Sequence, residues 1–572
     1  MASFSVWDYL VLGIVLMISA VIGVYYKYSG GKQKTNAEYL LGNRSMSTIP
    51  VSLSLMASTL SSIAILGGSM ESYQNGTGYF LFYVGVIISA PIVNYIMLPV
   101  FYNLEVSSLF EYLNKRFGYT TRLYTSLIFS VQTVLIMGIV LFAPVLALEA
   151  ATGIDRTTAI CLIGLVCTFY STIGGMKAVI LTDVFQSILM FVAVYGVIAA
   201  AIVKAGGISP ILEVGLEGER IAFPSWSLDY SERHTVWSLL AGGTANYLFL
   251  NGSTQTNVQR LLAAKSLESA KRAVWWNTLL LMLLQCSILF SGVCIYWYYS
   301  KCDPLLTGEI TSRDQIMPLF FVETMGHIPG VCGLFVAGIF SGCLSTVSSA
   351  LNSLAAVTVE DYLKPTIRKC VSREIPEKRI VLLTKLVALI FGVISTCLAF
   401  LAQYLQGILQ TTISLQGTIG GALCAAFLLG MTTIRASQKG VLLGITLGVA
   451  YSVVVVFGGP KPPRKVLSFS VEECNVEGLL TSSTDDETDY HWLYKMSYLW
   501  QAVTGFFITM ITGYIFSLIF QYWGIDKNEK IYVDRDGKLL RSELFSPFLQ
   551  RRIKERGCAA ETEVMLDKKS IY

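Results

Sequence analysis

The chain is short of charge. Only 14% of its 572 residues are Asp, Glu, Lys or Arg, while 53% are hydrophobic and the mean hydropathy is +0.59. Soluble domains carry roughly 25% charged residues, so the composition excludes an ordinary soluble protein and points to a polytopic membrane protein. The net charge of +4 is small, and basic runs interleaved with aromatics are missing, which excludes a nucleic-acid groove. Histidine is nearly absent. His234, His327 and His491 all fall in loops, so none is left within an apolar segment for a proton relay, a haem or an intramembrane zinc site. With no acid pair in a span either, an enzyme is disfavoured and no organic cofactor is expected. CxxC pairs are also missing, and most of the twelve cysteines lie in apolar segments, where they read as small buried hydrophobes. Cys302 and Cys474, in outer loops, are the candidates for a disulfide. Residues Met1 to Asp8 lack the basic n-region and cleavage site of a removable signal peptide, so the first apolar stretch is expected to remain as a span.

What the chain does have is apolar segments long enough to cross a bilayer, which takes about 17–25 residues each. About thirteen are expected, over residues 7–26, 48–70, 79–101, 122–148, 157–173, 180–203, 236–255, 275–299, 330–358, 379–403, 408–430, 439–458 and 498–523. Lys and Arg accumulate in alternate loops, among them Lys32, Lys115, Arg116, Arg122, Lys177, Arg260, Arg272, Arg368 and Lys439. The opposite loops, 204–235, 300–329 and 459–497, are longer and poorer in basic residues, and the last holds the acidic run 485–489. The basic set is cytoplasmic by the positive-inside rule. The N-terminus is then outside and the tail 524–572, read as solvated, inside. Asn75 opens a glycosylation sequon in an outer loop expected to be too short for use, and Ser570-Ile571-Tyr572 is a weak candidate ligand for a PDZ domain.

Three apolar segments are interrupted by small and polar residues. Span 48–70 carries Ser52, Ser54, Ser58, Thr59, Ser61, Ser62 and Gly67-Gly68-Ser69; span 236–255 carries Gly242-Gly243-Thr244 and Asn251 to Gln255; span 408–430 carries Gln410, Thr412, Ser414, Gln416 and Gly420-Gly421. Close helix packing explains any one of them about as well as function does. Discontinuous spans in corresponding positions of two halves point to a midplane site in a secondary transporter. In the ninth span, Ser341, Ser345, Ser348 and Asn352 recur on one helix face, with Thr346, Ser349 and Ser353 on the next stripe. Gly342, Ser345 and Thr346 can converge a carbonyl and two hydroxyls on one point. With no carboxylate in that window, the ligand chemistry favours Na+ over Ca2+ or Mg2+. Asp183, near the inner end of its span, is either functional or half of a salt bridge. No Arg or Lys is expected at the midplane, so an anionic cargo would depend on broken-helix N-termini and co-bound Na+.

Tyr170-Ser-Thr-Ile-Gly-Gly-Met-Lys-Ala178 resembles the signature of the sodium:solute symporter family. Leu344-Ser-Thr-Val-Ser-Ser349, Ala355 to Asp361, Phe110 to Phe117, Asn257-Val-Gln-Arg260 and Gly407 to Gln410 are similar to its branch carrying monocarboxylates, multivitamins and iodide. The resemblance covers about residues 5 to 525. It implies an all-α LeuT-type core of two inverted five-helix repeats, 48–203 and 236–430. These follow one extra N-terminal helix within 1–47 and precede two extra C-terminal helices within 431–523. It further implies a sodium site at Ala57, Leu60, Gly342, Ser345 and Thr346, with Asp183 on the ion's inward exit. Thr59, Tyr83, Tyr247, Asn251 and Gln416 line up with the cargo cavity. A histidine and a glutamate of the sugar branch are replaced here at Ala64 and near Phe80. The iodide branch has glutamine at the Ala64 position and phenylalanine at the Gln416 position. The expectation is therefore a plasma-membrane symporter coupling Na+ to a small organic solute, a monocarboxylate or vitamin-like anion. A choline, sugar or inorganic-anion transporter, or a non-transporting sensor, is the alternative.

Overall fold

The computed structural model describes residues 4–28, 42–104, 106, 108–173, 175–371, 376–405, 407–462, 466–471, 473–474, 490–525 and 542–552. The acidic run 485–489 and the terminal Ser570-Ile571-Tyr572 lie outside the described residues. Helix dominates, and the described residues form only two isolated bridges, Met46 with Ala264 and Ser225 with Thr235. In chain order the helices are α1 (Val6–Tyr28), α2 (Thr48–Thr59), α3 (Ser62–Asn75), α4 (Thr77–Asn103), α5 (Phe110–Arg116), α6 (Tyr119–Thr152), α7 (Arg156–Ile173), α8 (Met176–Ala205) and α9 (Ser209–Glu217). They continue as α10 (Val236–Gly252), α11 (Gln255–Leu262), α12 (Leu267–Tyr299), α13 (Ile316–Met325), α14 (Val331–Val357), α15 (Lys364–Val371), α16 (Glu377–Ala402), α17 (Ile408–Thr432), α18 (Gln438–Phe457) and α19 (Trp500–Tyr522).

Ten helical stretches among the described residues are long and apolar enough to span a membrane, and α2 with α3, bent by 61°, makes an eleventh. The two remaining expected spans correspond to α7 and to α10 followed by α11. Two breaks organise the interior. Leu60 and Ser61 adopt extended backbone between α2 and α3, and Thr254 does so between α10 and α11. Both breaks fall in the hydroxyl-rich tracts, where side chains can serve backbone groups that leave the helical ladder. At the second break the Thr254 hydroxyl accepts from the Asn257 amide and caps α11. Between the breaks, α4 and α10 pack at backbone distance. A Cβ on Gly243 would sit 2.1 Å from the Phe82 carbonyl oxygen, which is why the Gly242-Gly243 pair belongs to packing.

The candidate pair Cys302 and Cys474 forms a disulfide across 172 residues, tying their two loops together. The loop segment 466–471 seats on the C-terminal end of α3. There the Leu467 amide donates to Gln74 O, and the Phe469 ring lies between the Tyr73 ring and the guanidiniums of Arg220 and Arg313. The tail is not solvated throughout: Leu544, Phe545 and Ser546 are buried against α5 and the C-terminal end of α17, with Tyr112 donating to Leu544 O and the Ser546 amide to Met431 O. An apolar Leu-Phe pair within a charged tail finds an apolar seat there. Arg116, Arg122 and Arg260, counted as cytoplasmic loop charge, are folded inward onto carbonyls and carboxylates. Asn75 donates to Glu71 at 2.7 Å.

Candidate functional site

The first break creates two adjacent places, an oxygen-lined corner and a small cavity. In the corner, α14 lies against the break because residue 342 is glycine. A Cβ there would stand 2.9 Å from the Ser62 nitrogen and 3.2 Å from the Ser61 carbonyl carbon. The C-terminal end of α2, with Ala57 and Leu60, thereby packs against α14, with Gly342, Ser345 and Thr346, and all but Thr346 of these residues are buried. Thr346 Oγ1 donates to Gly342 O at 2.9 Å, and Ser345 Oγ donates to Asp183 Oδ1 at 2.6 Å. The C-terminal end of α2 adds the negative end of a helix dipole to this cluster of neutral oxygens, an arrangement suited to a small monovalent cation. The remaining hydroxyls of the stripe turn back on their own helix: Ser341 donates to Ala337 O, Ser348 and Ser349 to Ser345 O, and Ser353 to Ser349 O. They satisfy a polar face without widening the corner.

Asp183 is half of a fully buried ion pair. Arg260 on α11 places Nη2 3.1 Å from Asp183 Oδ2 and donates through Nε to Ser54 Oγ at 2.7 Å, through Nη1 to Thr256 O at 2.9 Å, and also to Ser349 Oγ. Ser54 donates to the same carboxylate oxygen. The expectation that Arg260 is cytoplasmic loop charge is corrected here. Arg260 looked like loop charge because the break at Thr254 starts a second short helix that carries it back into the core.

The cavity, of about 90 Å³, lies beside the corner and shares Ser61 and Thr346 with it. Its lining has no ionised group. Ser58, Thr59, Gln132, Thr133, Asn257, Thr412 and Gln416 supply polar atoms, and Phe129, Ile136, Met137 and Phe249 supply the apolar wall. Of the expected cargo residues, Thr59 and Gln416 line it. Asn251 stands behind Asn257, which donates toward it and toward Thr59 and accepts from Ser58. Tyr83 and Tyr247 belong instead to an aromatic chain running Tyr247, Phe82, Tyr79, Tyr83 beside the cavity. Gln132 was missed. Its amide donates to the carbonyls of Leu415 and Gln416 at 3.0 Å while its own buried carbonyl has no protein partner. A lone amide in the apolar span 122–148 was the available signal.

At the far end of α3, Arg233 clamps both carboxylate oxygens of Glu71 and donates to Gln410 on α17 at 2.7 Å. His234 joins through Tyr498 at 3.1 Å, and its ring lies 5.4 Å from that of Tyr79. Burial pushes the His234 imidazole down to about 4, so it is neutral at physiological pH. A pocket of about 870 Å³ is lined by Arg233, His234 and Gln410. Glu71 and Arg233 were likewise missed, because their partnership spans 162 residues of sequence.

Comparison with known proteins places this geometry in a wider setting. The family model described as the sodium:solute symporter family matches residues 39–448. A Drosophila melanogaster protein named "Putative sodium-dependent multivitamin transporter" is 47% identical, over 97% of this chain and 93% of its own length. Sodium-coupled monocarboxylate transporter 1 is 38% identical in both Xenopus laevis, over 98% of this chain and 92% of that protein, and Homo sapiens, over 90% and 87%. Among solved structures, a Na+-coupled sialic acid symporter in a substrate-bound outward-open state superposes with a TM-score of 0.75 at 25% identity, covering 91% of this chain and 99% of that one. A nucleobase-cation-symport-1 family transporter in a closed conformation, 11% identical, matches with a TM-score of 0.51 over 90% and 98%, a likeness of fold alone. The fold is LeuT-type.

Proposed function

We propose that this chain, which belongs to the sodium:solute symporter family, is a plasma-membrane symporter of a small organic anion, a monocarboxylate or vitamin-like carboxylate. The cargo class is supported by the names of the relatives and by one feature of the site. At a single break, the C-terminal end of α2 meets the N-terminal end of α3. Carbonyls at the first favour a cation, and amides at the second, where Ser61 caps with no side-chain hydrogen bond, favour an anion. The N-terminus of α11 opens on the same cavity through Thr254 and Thr256. A carboxylate can therefore be held without any arginine, provided Na+ sits beside it.

In this reading Ala57, Leu60, Gly342, Ser345 and Thr346 hold the ion, and Asp183 guides it toward the cytoplasm. Thr59, Gln416 and Asn251, joined by Gln132 and Asn257, meet the cargo, while Tyr83 and Tyr247 support it from the aromatic side. Sodium bridges α2 and α14, which belong to the inverted repeats 48–203 and 236–430, and so favours the conformation that completes the cavity. Ion and cargo then raise each other's affinity equally. The N-terminus faces outward and the tail inward, with 204–235 and 459–497 outside.

The test is uptake of labelled lactate, pyruvate, butyrate, biotin, pantothenate, choline, iodide and glucose by cells expressing the protein, in Na+ and in Na+-free medium. Concentrative, Na+-dependent uptake of a carboxylate is the expected result. Accumulation of choline, iodide or glucose instead would reassign the cargo, and binding without accumulation would make the protein a sensor.

A further inference from the structure

The fully buried ion pair of the core adjoins the ion corner, and the reading of cargo and ion sites gives Arg260 no part. Its guanidinium touches α2 through Ser54, α8 through Asp183, α14 through Ser349 and its own helix through Thr256. These elements come from both halves of the core. Asp183 in turn accepts from Ser345. A serine hydroxyl can donate its proton to a carboxylate while its oxygen lone pairs face a cation. Sodium at Ser345 would therefore stand one hydroxyl away from Asp183, at Oδ1, while Arg260 holds Oδ2. Two cations would then share one buried carboxylate, and their repulsion is weakly screened in a low-dielectric interior.

We propose that Arg260 is a tethered counter-cation that competes with Na+ for Asp183. With the ion absent, Arg260 neutralises the carboxylate and holds α2, α8, α11 and α14 together. Ion entry loosens that hold, and its re-formation as the halves move drives Na+ toward the cytoplasm. Arg260 is thus a positioning residue that sets ion affinity and release, acting through Asp183 and not by contact with the ion. This rests on the sodium site proposed above.

The experiment measures binding and dissociation of radioactive Na+ on the purified full-length protein in lipid nanodiscs, so it needs no knowledge of the cargo. Arg260→Gln is expected to lower the half-saturating Na+ concentration by about fivefold or more and to slow dissociation in proportion. Arg260→Lys, which keeps the charge but loses the guanidinium's several anchors, should shift both in the same direction by less. A merely structural arginine would give less folded protein with unchanged or weaker Na+ binding, and that result in either variant overturns the proposal. Should neither variant fold, wild-type protein decides: labelling of Arg260 by an arginine-specific dicarbonyl, read by mass spectrometry, must be faster in Na+ than in choline, and equal or slower labelling overturns the proposal. Thr346→Ala in the same binding assay separates the two readings. If it leaves Na+ binding unchanged, the sodium site itself is misplaced; if it weakens binding while the Arg260 variants do nothing, only the counter-cation falls.

Discussion

The proposed ion corner and the proposed cargo cavity meet at Ser61 and Thr346 and yet are built in different ways. Four of the five corner residues are buried, come from two short stretches of chain, and contribute partly through backbone groups fixed by a helix end and a glycine contact. The cavity takes its polar atoms from α2, α6, α11, α14 and α17 and from the two breaks, through side chains and without an ionised group. An ion of fixed charge and size needs a few oxygens at set distances, which a local backbone device provides. A cargo is recognised by shape and by a sum of weak contacts, so its site is spread over many helices and tuned one side chain at a time.

That contrast can be broken by substitution. The largest effect is expected from Gly342→Val, because even a Cβ meets the backbone of Ser61 and Ser62. Overpacking there costs about 1–3 kcal/mol and separates α14 from the break, so Na+-dependent uptake should vanish in protein that still reaches the surface. Thr346→Ala comes next. Losing one hydroxyl from an ion site should raise the half-saturating Na+ concentration about tenfold, with maximal uptake at saturating Na+ nearly intact, as measured by uptake against Na+ concentration. Gln416→Leu and Gln132→Leu should do the reverse, raising the cargo KM several-fold, on the order of 1 kcal/mol, while Na+ binding without cargo stays unchanged. If Gln416→Leu shifts Na+ binding as strongly as Thr346→Ala does, the two places are not separable.

The smallest effect concerns the outer clamp. In the fold the His234 proton leaves near 4, whereas in the unfolded chain it leaves near 6.5. Between those values the unfolded state binds more protons, so the contribution of His234 to stability is present above about pH 6.5 and lost as the pH falls toward 4. Thermal unfolding followed across that window should show a shallower pH dependence in His234→Gln than in the wild type.

The same division governs what could be read in advance. The membrane class, most span positions and the break in 48–70 follow from composition and from runs of Ser, Thr and Gly, because a bilayer demands long apolar helices and tolerates polar interruptions only around protein-lined interiors. The role proposed for Gly342, Ser345 and Thr346 was visible at i, i+3 and i+4 because one helix turn brings those positions together without help from the rest of the chain. Resemblance supplied Ala57 and Leu60.

Tertiary structure alone decided the rest. Asp183 could be paired or functional by sequence, and only the return of α11 into the core showed that Arg260 sits against it across 77 residues. Arg233 with Glu71, Gln132 with the carbonyls of α17, and Phe545 on the inner face are likewise partners far apart in the chain. Tyr83 and Tyr247 aligned with a cavity but joined an aromatic chain beside it. Periodicity reports which face a residue occupies on its own helix. Which other helix that face meets depends on how all the helices pack, and buried charges and cargo contacts are settled at that level.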